Sequence, residues 1–360
     1  MRNCHKFSHR AAVLLFAAVF GTSSLPAYAR AADHGPGVEG AAASEAGTRT
    51  YVDICSYPDR YQAGLQAESG LIRREDGTVS YQGVNYRRKA NTQAILAMGI
   101  DRSDDLEEAK TGWEGGQSDG IFLMAYQEDT GKEDLILIPR DSLTRFNVPD
   151  KASGLDLGDS MIGPVTLAYA VGDGKDGSCA NMKEAVSGLL AGLPIDHYAA
   201  FDMAVLSVLN DAVGGVTVTI PTEGMESRDP AFVYGSEVTL QGSQAEKFLR
   251  FRDITKDGSA LQRLEQHKAY IRGFEKALAA AAGSDLTAVL SLRETIRPYI
   301  VTDMLPGEYT ELALAFARQA DTDSIRTLPG QELTGTRFDE YYVDYEQAIP
   351  MLLELFYEQI

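Results

Sequence analysis

The chain has 360 residues, with 33 Lys and Arg against 52 Asp and Glu and a formal charge of -19. That acidic balance argues against nonspecific attraction to nucleic acid or to anionic lipid surfaces, so an anionic ligand has to be held by local arginines or by a metal ion. The length is enough to bury a large core, either in one decorated domain or in two.

Residues 1–29 read as an export signal. Arg2, Lys6 and Arg10 precede the apolar run from Ala11 to Phe20 and a small-residue stretch ending in Ala27-Tyr28-Ala29. The run is shorter than the roughly 20 residues that span a bilayer. Cleavage at the A-x-A site is therefore favoured over retention as a short anchor, and both outcomes are extracytoplasmic, at the cell envelope. Residues 30–86 read as a spacer followed by an accessory hairpin. The spacer is Ala- and Gly-rich to about Thr48, and in the hairpin Asp76-Gly77 separates two strand-like runs. Arg87, Arg88 and Lys89 read as a solvated rim. Of the three cysteines Cys4 lies in the signal, while Cys55 and Cys179 could pair in an oxidising compartment, although nothing in their spacing brings them together.

Three apolar runs follow, ILAMGIDR (95–102), GGQSDGIFLMAY (115–126) and LILIPRD (135–141), each with acids or an arginine at one end. They predict strands that carry Asp101, Asp119, Arg140 and Asp141 at or near their ends, where a rigid sheet exposes chemistry. ANMKEAVSGLLAGL predicts a helix with Met182, Ala185, Val186 and Leu189 on its inner face, stopped by Gly192 and Pro194. A strand around His197–Phe201, a helix ending at Gly214-Gly215 and a strand over Val216–Pro221 continue an alternation that implies helices covering a sheet. The alternation in Lys247–Asp253 predicts a strand with Arg250 and Arg252 on one face. A long helix then places Leu264, Ile271, Phe274 and Leu278 inward, with Arg263, Gln266 and His267 on other parts of its surface. Residues 282–360 are expected to form further helical segments.

Strand-end aspartates suit Mg²⁺ or Mn²⁺, because hard cations prefer carboxylate oxygens and share their coordination with phosphate and water. Arginine forks hold phosphate oxygens in pairs, which fits Arg140, Arg250 and Arg252 to an anionic phosphate. Taken singly, a strand-end Asp is more often a turn residue and an Arg pair more often a solvated face. No GxxxxGK[ST], GxGxxG or G-x-S-x-G motif supports nucleotide binding or serine hydrolysis, and His197 reads as structural.

Taken in order, ILAMGIDR, QSDGIFLMAY (117–126), LILIPRDS (135–142), LAYAVGDG (167–174), LLAGLPIDHY (189–198), LNDAVGGVTVTIP (209–221), LQGSQAEKFLRFRD (240–253) and QRLEQHKAYI (262–271) resemble the LytR-CpsA-Psr family of cell-envelope proteins. The resemblance implies an α/β fold, a three-layer α-β-α sandwich with a central mixed sheet, over residues 87–281, with 282–360 as a helical C-terminal extension. It implies a phosphotransferase that moves a glycopolymer, such as a teichoic acid-like polymer, from a polyprenyl-pyrophosphate carrier to peptidoglycan at the outer membrane surface, without nucleic acid. Carried over by position, Asp101 and Asp119 would hold Mg²⁺, with Mn²⁺ as an alternative. Arg102, Arg140, Arg250, Arg252 and Arg263 would bind the phosphates. Asp101, Asp119, Arg140 and Arg252 form the expected catalytic set. The chain departs from the family pattern at Gln117, where Arg is usual before Ser-Asp, and at Gln266 and His267, which replace a second Arg and a Gln. Those departures leave a second reading open, a catalytically weakened polyprenyl-phosphate-binding scaffold or regulator.

Overall fold

The computed structural model describes residues 69–101, 115–148, 160–253, 259–284, 295–308, 312, 325–334 and 339–360. The export signal, the spacer and Cys55 lie outside these residues. Cys179 is fully buried. No helix among the described residues is long and apolar enough to cross a membrane.

The described chain opens with an antiparallel ladder, β1 (Ile72–Arg73), β2 (Val79–Tyr81) and β3 (Val84–Arg88). Gly77, at φ 81°, makes the expected turn, and Asp76 accepts hydrogen bonds from the backbone N and Oγ1 of Thr78. Next come β4 (Thr92–Ile100), β5 (Ser118–Gln127) and β6 (Glu133–Leu137), then a ribbon of β7 (Leu143–Asn147) and β8 (Ser160–Pro164). The short α1 (Leu167–Ala170), α2 (Asp176–Leu189), β9 (His197–Asp202) and α3 (Val205–Ala212) follow. A hairpin of β10 (Val216–Thr219) and β11 (Glu237–Leu240) leads into α4 (Gln244–Leu249) and the long α5 (Ser259–Ser284). The C-terminal part supplies β12 (Ile300–Thr302), β13 (Ile325–Thr327), β14 (Gly330–Thr334), β15 (Asp339–Val343), α6 (Tyr345–Phe356) and β16 (Tyr357–Gln359).

Six strands form the central mixed sheet in the order β12-β9-β4-β5-β6-β13. β4 runs parallel to β9 and antiparallel to β5, and β6 runs antiparallel to β5 and parallel to β13. Both faces are buried, and the period of two in the strands sorts side chains between them. Ile95 and Ala97 of β4 with Phe122, Met124 and Tyr126 of β5 pack under α3, α4, α5 and the β10–β11 hairpin. Ala94, Leu96, Met98 and Ile100 with Ile121, Leu123 and Ala125 pack under α1, α2 and α6. Each fully buried Leu, Ile or Phe contributes about 1.5–3 kcal/mol to that sandwich. The three-layer α-β-α expectation is met, as are the helix with Met182, Ala185, Val186 and Leu189 buried and the strand at His197.

Two expectations need correction. Lys247–Asp253 is not a strand: α4 runs through Leu249, and Arg250 caps it with its N–H donating to the Glu246 carbonyl at 2.9 Å. Ala245, Phe248 and Leu249 fall at i, i+3 and i+4 and are all buried, so the helical period prevails over the local alternation. The C-terminal extension is helical only in part. α6 is there, with Asp344 at its N-cap accepting from Glu346 N and Gln347 N, but strands surround it. β12 pairs with β9, β13 with β6 and β16 with β3, so this region completes the sheets.

Candidate active site

One end of the central sheet collects the chemistry, and strand direction is the reason. β4 and β6 point the same way, so their C-terminal ends deliver Asp101 and the 138–141 turn to one rim, and the antiparallel β5 begins there with Asp119. The β4–β5 register adds a refinement. Gly99 faces Gly120 and Ile100 faces Ser118, which leaves Asp119 as the extra residue of a bulge. A bulge re-aims the side chain it carries and commonly borders a site.

Asp119 is 4% exposed and accepts a hydrogen bond from Nη1 of Arg140. Nη2 of the same guanidinium donates to Oε1 of Gln117 at 2.7 Å, and its Nε lies 3.5 Å from Oδ1 of Asp141. Gln117 also holds Asp101, whose backbone N donates to the Gln117 carbonyl at 2.8 Å. Opposite, Nη2 of Arg250 donates to Oδ1 of Asp101 at 2.9 Å, while Nη1 of Arg250 donates to Glu246. Arg252 donates to Asp339 at 2.9 Å. Arg263 of α5 is 4% exposed, and its Nε is shielded from solvent with no hydrogen-bond partner among the described residues.

The electrostatics follow from this crowding. Burial raises the Asp101 carboxyl to about 6, the Asp119 charge pushes the same way, and Arg250 and Arg140 oppose them. Asp141 is raised by burial against the pull of Arg140, Arg252 and Arg263, and its Oδ2 is shielded without a partner among the described residues. Burial brings Arg263 down to about 10, still charged at neutral pH. A buried carboxyl whose ionisation is opposed by a second carboxylate close by suits a divalent cation. Among the described residues no three His, Cys, Asp or Glu gather as a complete metal site.

The expected residues Asp101, Asp119, Arg140, Arg250, Arg252 and Arg263 thus meet at one rim, while Arg102 lies outside the described residues. The placement of Gln266 and His267 at the helix surface is overturned. Gln266 is 1% exposed and His267 fully buried, with its ring centroid 6.2 Å from that of Phe122. Arg263, Gln266 and His267 occupy i, i+3 and i+4, a buried polar stripe. Burial, then the Arg263 charge, holds the His267 imidazole well below its ordinary value, so it is neutral. Sequence reasoning missed Asp339 on β15, for which no local signal exists. It also missed Thr166, whose N–H donates to the Arg140 carbonyl at 3.2 Å. Docking of β15 is visible in the Tyr341 N–H, which donates to the Asp141 carbonyl at 2.9 Å.

The chain is similar to Biofilm regulatory protein A of Streptococcus mutans, 29% identical over 206 residues that make up 55% of this chain and 47% of that protein. It spans about half the length of that relative. It is also 29% identical over 255 residues to the polyisoprenyl-teichoic acid--peptidoglycan teichoic acid transferase TagU of Oceanobacillus iheyensis, covering 71% of this chain and 70% of that one. Among solved structures it shares the fold of B. subtilis TagV, with a TM-score of 0.56, 20% identity, and coverage of 74% of this chain and 97% of that one. The family model described as the LytR_cpsA_psr family matches residues 59–355, and the chain belongs to that family.

Proposed function

We propose that the protein is a phosphotransferase that moves a glycopolymer from a polyprenyl-pyrophosphate carrier to peptidoglycan, on the outer side of the membrane. The observation that carries this reading is the buried Arg263 Nε, a donor with no acceptor among the described residues, set among the charges of Arg140, Arg252, Asp119 and Asp141. A buried unsatisfied donor among guanidiniums calls for an anionic ligand with several acceptor oxygens, and a pyrophosphate supplies them. The name of the Oceanobacillus relative, a polyisoprenyl-teichoic acid--peptidoglycan teichoic acid transferase, supports the same substrate class.

In this reading Arg140, Arg250, Arg252 and Arg263 hold the two phosphate groups and offset the charge that develops on their oxygens during transfer. Asp101 and Asp119 would hold Mg²⁺, which supplies Lewis-acid polarisation of the pyrophosphate when bound. Asp119 also orients Arg140, and Gln117 fixes the second nitrogen of the same fork. Gln117 therefore gives up a positive charge and provides an acceptor that steers a neighbouring one. The family resemblance would lead a polyprenyl tail into the apolar layer between the sheet and α5, where Phe122, Met124, Ile271 and Phe274 are closely packed core. Export by residues 1–29 would deliver the protein to the compartment that holds both carrier and acceptor.

The test is to purify the full chain in detergent and supply a polyprenyl-pyrophosphoryl glycan donor and soluble peptidoglycan glycan strands, with and without Mg²⁺. Covalent attachment that needs the cation and is lost in Arg252→Ala is expected. Attachment at the wild-type rate in a folded Arg252→Ala protein would overturn the reading.

A further inference from the structure

The last turn of α4 poses a structural problem for the site. A helix end leaves its final carbonyls without intrahelical donors, and here the carbonyls of Phe248 and of Phe251, just past the helix, flank Arg250, the second of them immediately before Arg252. Phe248 and Leu249 are fully buried and Phe251 is 5% exposed, so solvent does not serve this turn. The donors come from α5. With its amide nitrogen turned toward α4, the orientation that satisfies both ends of the amide, Gln266 donates to the carbonyls of Phe248 and Phe251, each at 3.1 Å. Leu249, between them, lies against the buried ring of His267, fully buried itself. One turn of α5 thus clasps the backbone on both sides of Arg250 and immediately before Arg252.

We infer that Gln266 is a positioning residue for phosphate recognition, acting through the backbone of residues 248–251 to fix the directions of Arg250 and Arg252. This rests on the pyrophosphate reading of the site. It reassigns the position: in place of a side chain that would bring charge, this chain has one that brings geometry. A guanidinium fork rewards the correct angle as much as the correct charge, because two parallel bonds form only when the fork is aimed. Arg250 already reaches Asp101 at 2.9 Å and Arg252 reaches Asp339 at 2.9 Å, so each fork is aimed at its own carboxylate from this turn. A loosened turn would move both at once.

The experiment measures binding of farnesyl pyrophosphate to the full chain by calorimetry, in the wild type, in Gln266→Met and in each combined with Arg250→Ala plus Arg252→Ala. Met has nearly the length of Gln and no donor. Gln266→Met is expected to weaken binding about tenfold, the loss of roughly one well-made charged hydrogen bond. In the background without the two arginines the same change should cost less than about twofold, because its route of action is gone. Gln266→Asn, whose amide is too short to reach both carbonyls together, should lie between and guards against a fold defect in the Met variant. A merely structural Gln266 would lower thermal stability equally in both backgrounds and leave the coupling at zero, which overturns the inference. Unchanged binding in Gln266→Met overturns it as well. Failure of the wild type to bind farnesyl pyrophosphate would sink the pyrophosphate reading itself, and wild-type binding without any glycopolymer transfer would sink only the transferase.

Discussion

Replacing Arg140 by Met should damage the protein before any substrate is added. The Arg140 side chain is 11% exposed and that of Asp119 is 1% exposed, so the ion pair between them is shielded from water. Removing one partner of such a pair leaves a buried carboxylate without its main counter-charge, a loss of about 3–5 kcal/mol. A hydrogen bond and an ion pair go with it: Gln117 Oε1 loses its donor at 2.7 Å, and Asp141 Oδ1 loses a guanidinium 3.5 Å away. The Thr166 hydroxyl, 3.5 Å from Asp119 Oδ1, is too distant to take over. At about 2–3 °C per kcal/mol for a large domain, a 3 kcal/mol loss lowers the melting temperature by about 6–9 °C. Calorimetry on Arg140→Met, Asp119→Asn and the double variant gives the coupling directly. The double variant should be more stable than the sum of the two single losses implies, by about 2 kcal/mol, because its Asn buries no charge. Additive losses, or a fall of less than about 2 °C in Arg140→Met, would refute the account of Arg140 as the compensating charge of a buried carboxylate.

Asp303 sits beside His197, with Oδ1 of Asp303 3.4 Å from Nδ1 of His197 and 2.9 Å from the Tyr198 N–H. Asp303 raises His197 above its ordinary 6.5. Burial opposes the ionisation of Asp303, but His197 and the Tyr198 N–H together hold it below 3.8. The His197 contribution is therefore complete below 6.5 and lost as pH rises through its folded value, while that of Asp303 is present above 3.8 and lost as pH falls. Asp303→Asn should cost about 0.5 kcal/mol more at pH 5.5 than at pH 8.5 by urea midpoints, a small figure because both groups are partly exposed and Lys183 stays close. Glu275, 6% exposed, is raised by burial to about 8, so the folded state holds a proton that the unfolded state releases, and stability falls as pH rises from 4.5 toward 8. Glu275→Gln should gain about 1–2 kcal/mol on the wild type between pH 5 and pH 8, and a flat difference across that range would refute the buried-proton account. Asp339→Asn removes one ion-pair partner of the Arg252 fork at little cost to folding, since both side chains are about a quarter exposed. Farnesyl pyrophosphate should then bind about threefold more tightly by calorimetry, and weaker binding would mean that Asp339 aims the arginine and does not compete for it.

The strands that build the rim were legible because an apolar run of strand length with a charged end fits little besides a buried strand that stops at a polar edge. The ordered set of motifs then joined Asp101, Asp119 and Arg140 to Arg250, Arg252 and Arg263, and those six do converge. The rest was hidden for identifiable reasons. Lys247–Asp253 satisfies two periods at once, and only the upstream Ala245 breaks the tie in favour of a helix. Arg263, Gln266 and His267 looked solvated because polar residues on a helix usually are. Here that face packs against the carbonyls of another helix end. The bulge at Asp119 depends on how two strands pair, which neither strand's composition encodes. Asp339 meets Arg252 from 87 positions away, through a hairpin with no motif of its own.

The C-terminal strands have a consequence for biogenesis. β12 closes one edge of the central sheet and β13 the other, so both outermost strands come from beyond residue 299. Until that last part of the chain arrives, the emerging protein carries β9 and β6 as open edges with unpaired backbone groups, the kind of template that recruits other chains. A chain threaded across a membrane from its N-terminus would reach that stage with all four rim arginines present but both flanks unsealed. Premature stops beyond α5 should therefore yield aggregates or proteolytic fragments instead of a shortened, folded protein, and cells that make this protein would have reason to shield it until the final strands are through.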